Sequence, residues 1–196
     1  FWHQSLAGKD AQAPDEPQTI YPDPETLTAQ FAPGPKQRLD PESPLLALNL
    51  FCGIRPSETR RLESGKGRGC NFDWEDNEVV FKAKQTKTKM RRAVEMSENC
   101  LAWLNLQELN LPIVNANHKW HDFLGDAREA LGYKVWPHDC IRHSFCSYGL
   151  RYTENAAKVA LQAGNTERVL FRHYLKLVSK SDAAKFWNIF PEKLAA

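Results

Sequence analysis

The chain has 196 residues, 42% of them hydrophobic and 26% charged, enough for one core-forming domain of the usual size of about 100–150 residues plus an arm. The net charge is only +2, but three basic and seven acidic residues fall within 1–44, leaving 23 basic against 17 acidic beyond it. That excess fits a polyanionic partner and equally fits solvated lysines.

No apolar run approaches the roughly 18 residues of a membrane span, and no charged leader with an apolar stretch opens the chain. The five cysteines form no C-x-x-C pair, so they read as free thiols of a reducing, cytoplasmic setting. The first residue is Phe1 rather than Met, which reads as a fragment start.

Residues 1–42 form a proline-rich arm: eight of the twelve prolines lie within 1–44, and proline fixes φ and removes a donor, so neither a continuous helix nor a central strand is expected there. A domain over 43–191 and a short tail, 192–196, follow. The run LLALNLF predicts a buried helix that ends at Gly53. Pro56 then opens a second helix through Leu62, which sets Arg55 at a helix N-terminus. Two readings fit Arg55: a phosphate ligand favoured by the free N–H groups and dipole, or a surface pair with Glu58.

Between Cys70 and Met96 the period changes to two. NFDWEDNEVVFKA and MRRAVEM alternate apolar and polar residues around an Asp76-Asn77 turn signal, which predicts three antiparallel strands. Lys82, Lys84, Lys87, Lys89, Arg91 and Arg92 crowd the second half. They read as DNA phosphate contacts or as solvated charges that keep an edge strand from aggregating.

Ser97 begins a helix that Pro112 ends, and His118–Leu131 forms another. His118 and His121 share a face, but no third ligand stands at a suitable spacing, so no metal is expected. A helix then runs from His138 to about Arg151, with Arg142 in its second turn. Thr153 caps a further helix ended by Gly164, and Glu167–Val178 carries His173 and Tyr174. The final segment, SKSDAAKFWNIFP, spaces Ala183, Phe186, Trp187 and Phe190 as one helical face. A tyrosine on a helix is ordinarily a core or interface residue, and Tyr174 taken alone reads so.

Taken together, GIRPSE (Gly53–Glu58), the lysine in QTKTK (Lys87), DCIRHSF (Asp139–Phe145), Gly164 and Tyr174 resemble, in order and spacing, the catalytic domain of the tyrosine recombinases, the phage-integrase family. The resemblance covers roughly Ser43 to Pro191, and the set of five is far more specific than any one motif. Two positions depart from the family pattern: Asp139 stands where a histidine is usual, with His138 one place early, and Asn165 stands where His or Trp is usual.

The resemblance implies an α+β, mainly α-helical fold with a small three-stranded antiparallel sheet. It also implies site-specific cutting and rejoining of DNA through a covalent 3′-phosphotyrosine on Tyr174. Arg55 and Arg142 would stabilise phosphoryl charge, and Lys87 would protonate the leaving 5′ oxygen. Asp139, His138 or His173 would accept the tyrosine proton, and Asn165 would donate to a phosphate oxygen. Glu58 and His143 would stand behind these groups. No cofactor is needed. The implied partners are double-stranded DNA and further copies of the chain in a DNA-bound tetramer, with the C-terminal helix docking into a neighbour or folding back on its own domain. An upstream DNA-clamping domain is implied as well. The two departures leave a second implication open, a DNA-binding relic or regulator of a mobile element that does not cut.

Overall fold

The computed structural model describes residues 43–62, 71–106, 129, 134, 139–173 and 178–191. The proline-rich arm, Cys70, the expected His118–Leu131 helix, His138, Tyr174, the side chain of His173 and the 192–196 tail lie outside the described residues.

Helix α1, Ser43–Phe51, buries Leu45, Leu46, Leu48, Leu50 and Phe51. Apolar residues on every side make it a core helix rather than an amphipathic one. Gly53 ends it at φ +65°, and a Cβ there would sit on the Phe145 ring, so the position needs glycine for both its conformation and its space. Pro56 opens α2, Pro56–Thr59. This helix is a single turn and stops short of Leu62. The next amides tighten to three-residue spacing, Arg61 N–H to the Glu58 carbonyl and Leu62 N–H to that of Thr59, which closes the turn instead of propagating it.

Strands β1 (Phe72–Asp73), β2 (Glu78–Phe81) and β3 (Arg92–Glu95) form one antiparallel sheet in the order β1-β2-β3. Its register sets Val79 opposite Val94 and Phe81 opposite Arg92. The Asp73 carboxylate accepts the Glu75 and Asp76 amides and Asn77 takes φ 56°, the turn chemistry that the Asp-Asn pair predicts. The longer β2–β3 connection is pinned by reciprocal amides: Asn71 Nδ2 donates to Gln85 Oε1 at 2.9 Å, and Gln85 Nε2 donates to Asn71 Oδ1 at 3.0 Å and to the Arg61 carbonyl at 2.7 Å.

Helix α3, Glu98–Leu104, ends at Asn105, well before Pro112. Trp103 is buried and donates to the Ile189 carbonyl. Helix α4, Cys140–Thr153, begins two residues later than predicted because Asp139 occupies a left-handed N-cap, φ 54°. Helix α5, Ala156–Ala163, is capped by Asn155, whose side chain accepts the Lys158 amide. Thr153 belongs instead to the end of α4, where its hydroxyl donates to the Gly149 carbonyl. Helix α6 is Glu167–His173.

Helix α7, Lys180–Trp187, is capped by Ser179. It packs on its own chain: Phe186 is fully buried, stacks on Tyr148 at 4.6 Å and lies 5.5 Å from Phe51. Of the two expectations for this helix, these contacts fit folding back on its own domain. Phe190, predicted on the same face, is exposed, and Ile189 takes the buried place. Among the described residues no helix is long and apolar enough to cross a membrane. Truncating Phe186 to alanine should lower unfolding free energy by about 3–5 kcal/mol, read from urea denaturation.

Candidate functional site

The site is built around one carboxylate. Glu58, the third residue of α2, is fully buried and accepts five N–H groups from three separate segments. Oε1 receives Arg55 Nη1 at 3.1 Å, Arg92 Nη1 at 3.3 Å and the Lys87 amide at 3.4 Å. Oε2 receives Arg92 Nη2 at 2.9 Å and the Arg55 amide at 3.3 Å. Burial alone pushes a carboxyl pKa up. Here the hydrogen bond and charge of Arg92, followed by the charge of Arg55, outweigh it and hold Glu58 below its ordinary value.

Arg55 caps α2 and turns its second amino group away from Glu58. Nη2 donates to the Gly164 carbonyl at 2.9 Å and to Asn165 Oδ1 at 3.1 Å. Burial, then the nearby Arg142 charge, draws its pKa below the usual guanidinium value, with Glu58 opposing; the group remains a cation at neutral pH. Because α2 is one turn long, the predicted helix-terminus contribution to an anion site gives way to these side chains. With Oδ1 engaged, Asn165 presents Nδ2, which has no partner.

Arg142 lies in the first turn of α4, not the second, and is 5% exposed. Its fork does not stand open. Nη1 donates to the Gly53 carbonyl at 2.9 Å and Nη2 to that of Ala163, so it ties the turn before Arg55 to the end of α5 beside Gly164. Lys87 is exposed on the β2–β3 connection, and Arg61, Lys84, Thr86, Lys87 and Lys89 line one basic depression. Arg91 is exposed beside it and Lys82 is half-buried.

Arg92 departs from this row. Its side chain is only 6% exposed, and its guanidinium pairs with Glu58 and rests 5.0 Å from the centre of the Phe81 ring. The expectation that Arg92 meets DNA phosphate is corrected: it is an interior cation. The signal for this was in the sequence, since strand alternation puts Arg92 on the same face as Val94, which is buried. Gly164, at φ 61°, leaves no room for a Cβ, which would fall on Arg92 Nη1.

Asp139 stands exposed at the start of α4, and His143 is half-buried one turn into that helix. The structure thus brings Arg55, Glu58, Arg92, Asn165 and the Lys87 backbone together, with Arg142 bracing them. Four cysteines, Cys52, Cys100, Cys140 and Cys146, are buried free thiols. Burial pushes Cys140 and Cys146 up to about 12, so both are protonated at neutral pH. Among the described residues no cluster could hold a metal ion.

Replacing Arg142 with alanine should cost about 3 kcal/mol of stability, because a charged donor leaves two carbonyls at once. Chemical denaturation checks this, and lysine, with one ammonium for two carbonyls, should restore only part of the loss.

No protein-family model and no curated protein sequence matches the chain. Its structure is similar to that of the Tn1549 transposon integrase in complex with circular intermediate DNA, at TM-score 0.53 and 12% identity, over 82% of this chain and 61% of that one. The chain thus spans about three-fifths of the integrase chain it matches. Mainly helical with a three-stranded antiparallel sheet among the described residues, the chain shares its fold with that integrase.

Proposed function

We propose that the chain is the catalytic part, residues 43–191, of a site-specific DNA recombinase that cuts and rejoins strands through Tyr174. The observation that carries this reading is the convergence of Arg55, Asn165 and the Lys87 turn, from segments about 110 and 29 residues apart in sequence, around the buried Glu58 carboxylate. A scissile phosphate has the charge to engage Arg55, beside which the buried Asn165 Nδ2 stands without a partner. The exposed Lys84, Lys87, Lys89 and Arg91, with Lys82, would run along the flanking phosphates of double-stranded DNA. The integrase of similar fold was solved in complex with circular intermediate DNA, which supports a DNA partner here.

In this scheme the Tyr174 hydroxyl oxygen attacks phosphorus and forms a 3′-phosphotyrosyl bond as the bond to the 5′ oxygen breaks. The phenolic proton passes to a base, for which Asp139, His138 and His173 are the candidates, and Lys87 protonates the departing 5′ oxygen. Arg55 and Asn165 stabilise charge on the equatorial oxygens, and Arg142 holds the two turns that present them. The covalent ester conserves the bond energy for rejoining by the reverse reaction, so no cofactor takes part. Assembly of four copies on DNA belongs to the same proposal.

One observation favours a second reading, a DNA-binding relic: Arg142 already spends its fork on backbone carbonyls. Trapping separates the two. On a nicked suicide duplex carrying the element's own ends, wild-type protein should yield a denaturant-resistant adduct that Tyr174→Phe abolishes while retaining DNA affinity. Salt-sensitive binding without an adduct would replace the recombinase reading with the relic, and an adduct surviving in Tyr174→Phe would reassign the nucleophile.

A further inference from the structure

The row of basic residues on the β2–β3 segment conceals one with a different task. We propose that Arg92 is a positioning residue: its fork fixes the Glu58 carboxylate, and through that carboxylate sets the pose of Arg55 and of the turn carrying Lys87. The inference rests on the recombination reading for its consequence in catalysis, but not for its geometry.

Glu58 offers two oxygens to the cations around it. A carboxylate and a guanidinium left to themselves adopt a two-pronged pair in which both amino groups of the arginine are consumed. Glu58 has two arginines within reach, and only Arg92 takes the two-pronged arrangement, Nη2 on Oε2 at 2.9 Å and Nη1 on Oε1 at 3.3 Å. Arg55 is left a single prong, Nη1 on Oε1. Its Nη2 is therefore released toward Gly164 and Asn165. Remove Arg92, and Arg55 is free to close both prongs on Glu58 and withdraw from that position.

Arg92 is itself locked in place. It sits opposite Phe81 in the β-ladder and against the fully buried Phe81 ring, and it fills the space that a Cβ at Gly164 would need. At 6% side-chain exposure it is out of reach of a DNA backbone. The Lys87 turn depends on the same carboxylate through its amide, so one interior cation governs both groups at the phosphate.

The charged groups facing Glu58 are Arg55 from the preceding turn and Arg92 from β3, beside the neutral Lys87 amide, with Arg142 of α4 acting on Arg55. Arg92 is the largest influence opposing the effect of burial on Glu58. In Arg92→Gln the carboxyl pKa rises, so the fraction ionised falls as pH falls. Cleavage should then lose progressively more relative to wild type as pH is lowered.

The test compares wild type, Arg92→Gln, Arg92→Lys and Arg92→Gln/Glu58→Gln on the suicide duplex, with hydrogen exchange of the Lys87 amide measured on the same proteins without DNA. Arg92→Gln should keep DNA affinity and its salt dependence, cut the cleavage rate on the order of 10²-fold through misplacement, and speed exchange at Lys87. The added Glu58→Gln should flatten the extra pH dependence. Arg92→Lys keeps a cation but one prong, and should show the same pattern with a smaller loss; it carries the test should Arg92→Gln not fold.

Weakened binding with a shallower salt slope would make Arg92 a phosphate contact and overturn the proposal. So would wild-type exchange at Lys87, or a wild-type pH profile in Arg92→Gln. Should wild type form no adduct while Arg92→Gln still accelerates Lys87 exchange, the recombination reading fails and the positioning role stands.

Discussion

A buried charge is costly to keep without partners, and Glu58 is a fully buried carboxylate. The chain meets that cost by surrounding it with five N–H donors from Arg55, Lys87 and Arg92. Each donor comes with its own stretch of backbone, so satisfying one side chain fixes the relative positions of the turn before α2, the β2–β3 connection and strand β3. The neighbouring turn at Gly164 is then held by Arg55 from one side and filled by Arg92 from the other.

Two left-handed glycines frame this arrangement. Gly53 and Gly164 each end a helix at positive φ, and each is closed in by a side chain that a methyl group would displace, Phe145 at the first and Arg92 at the second. Arg142 spans them, donating to the carbonyls of Gly53 and Ala163. A single guanidinium thereby couples the entry of the Arg55 turn to the exit of α5. The apolar core beneath, with Phe51, Phe81 and Phe186 fully buried, gives these turns a fixed base.

Much of this was legible because the relevant signals are local. The leucine-rich run of α1, the glycine that ends it, the two-residue period of the sheet and the Asp-Asn turn each follow from chemistry within a few residues. Helix ends were less legible: Asn155 outcompeted Thr153 as a cap, and α3 stopped at Asn105 although proline lies farther on. Arg92 shares its charge with the basic residues around it but not their exposure; period two turns Arg91 outward and Arg92 inward. The partners of Arg142 were not legible for a different reason. A motif names the residue type that the chemistry needs, but its partners, Gly53 and Ala163, lie 89 and 21 residues away, and no local pattern points to a main-chain carbonyl.

The arrangement depends on Glu58 being an ionised carboxylate inside the fold. A carbon-13 NMR titration of the Glu58 carboxyl in the intact protein reads this directly. With a folded pKa below the unfolded one, its stabilising contribution is present above the unfolded value and is lost as pH falls through the folded value. The account predicts titration below the ordinary glutamate range, accompanied by loss of the Lys87 amide shift. A carboxyl that titrates above that range, with the Lys87 amide unmoved, would contradict it.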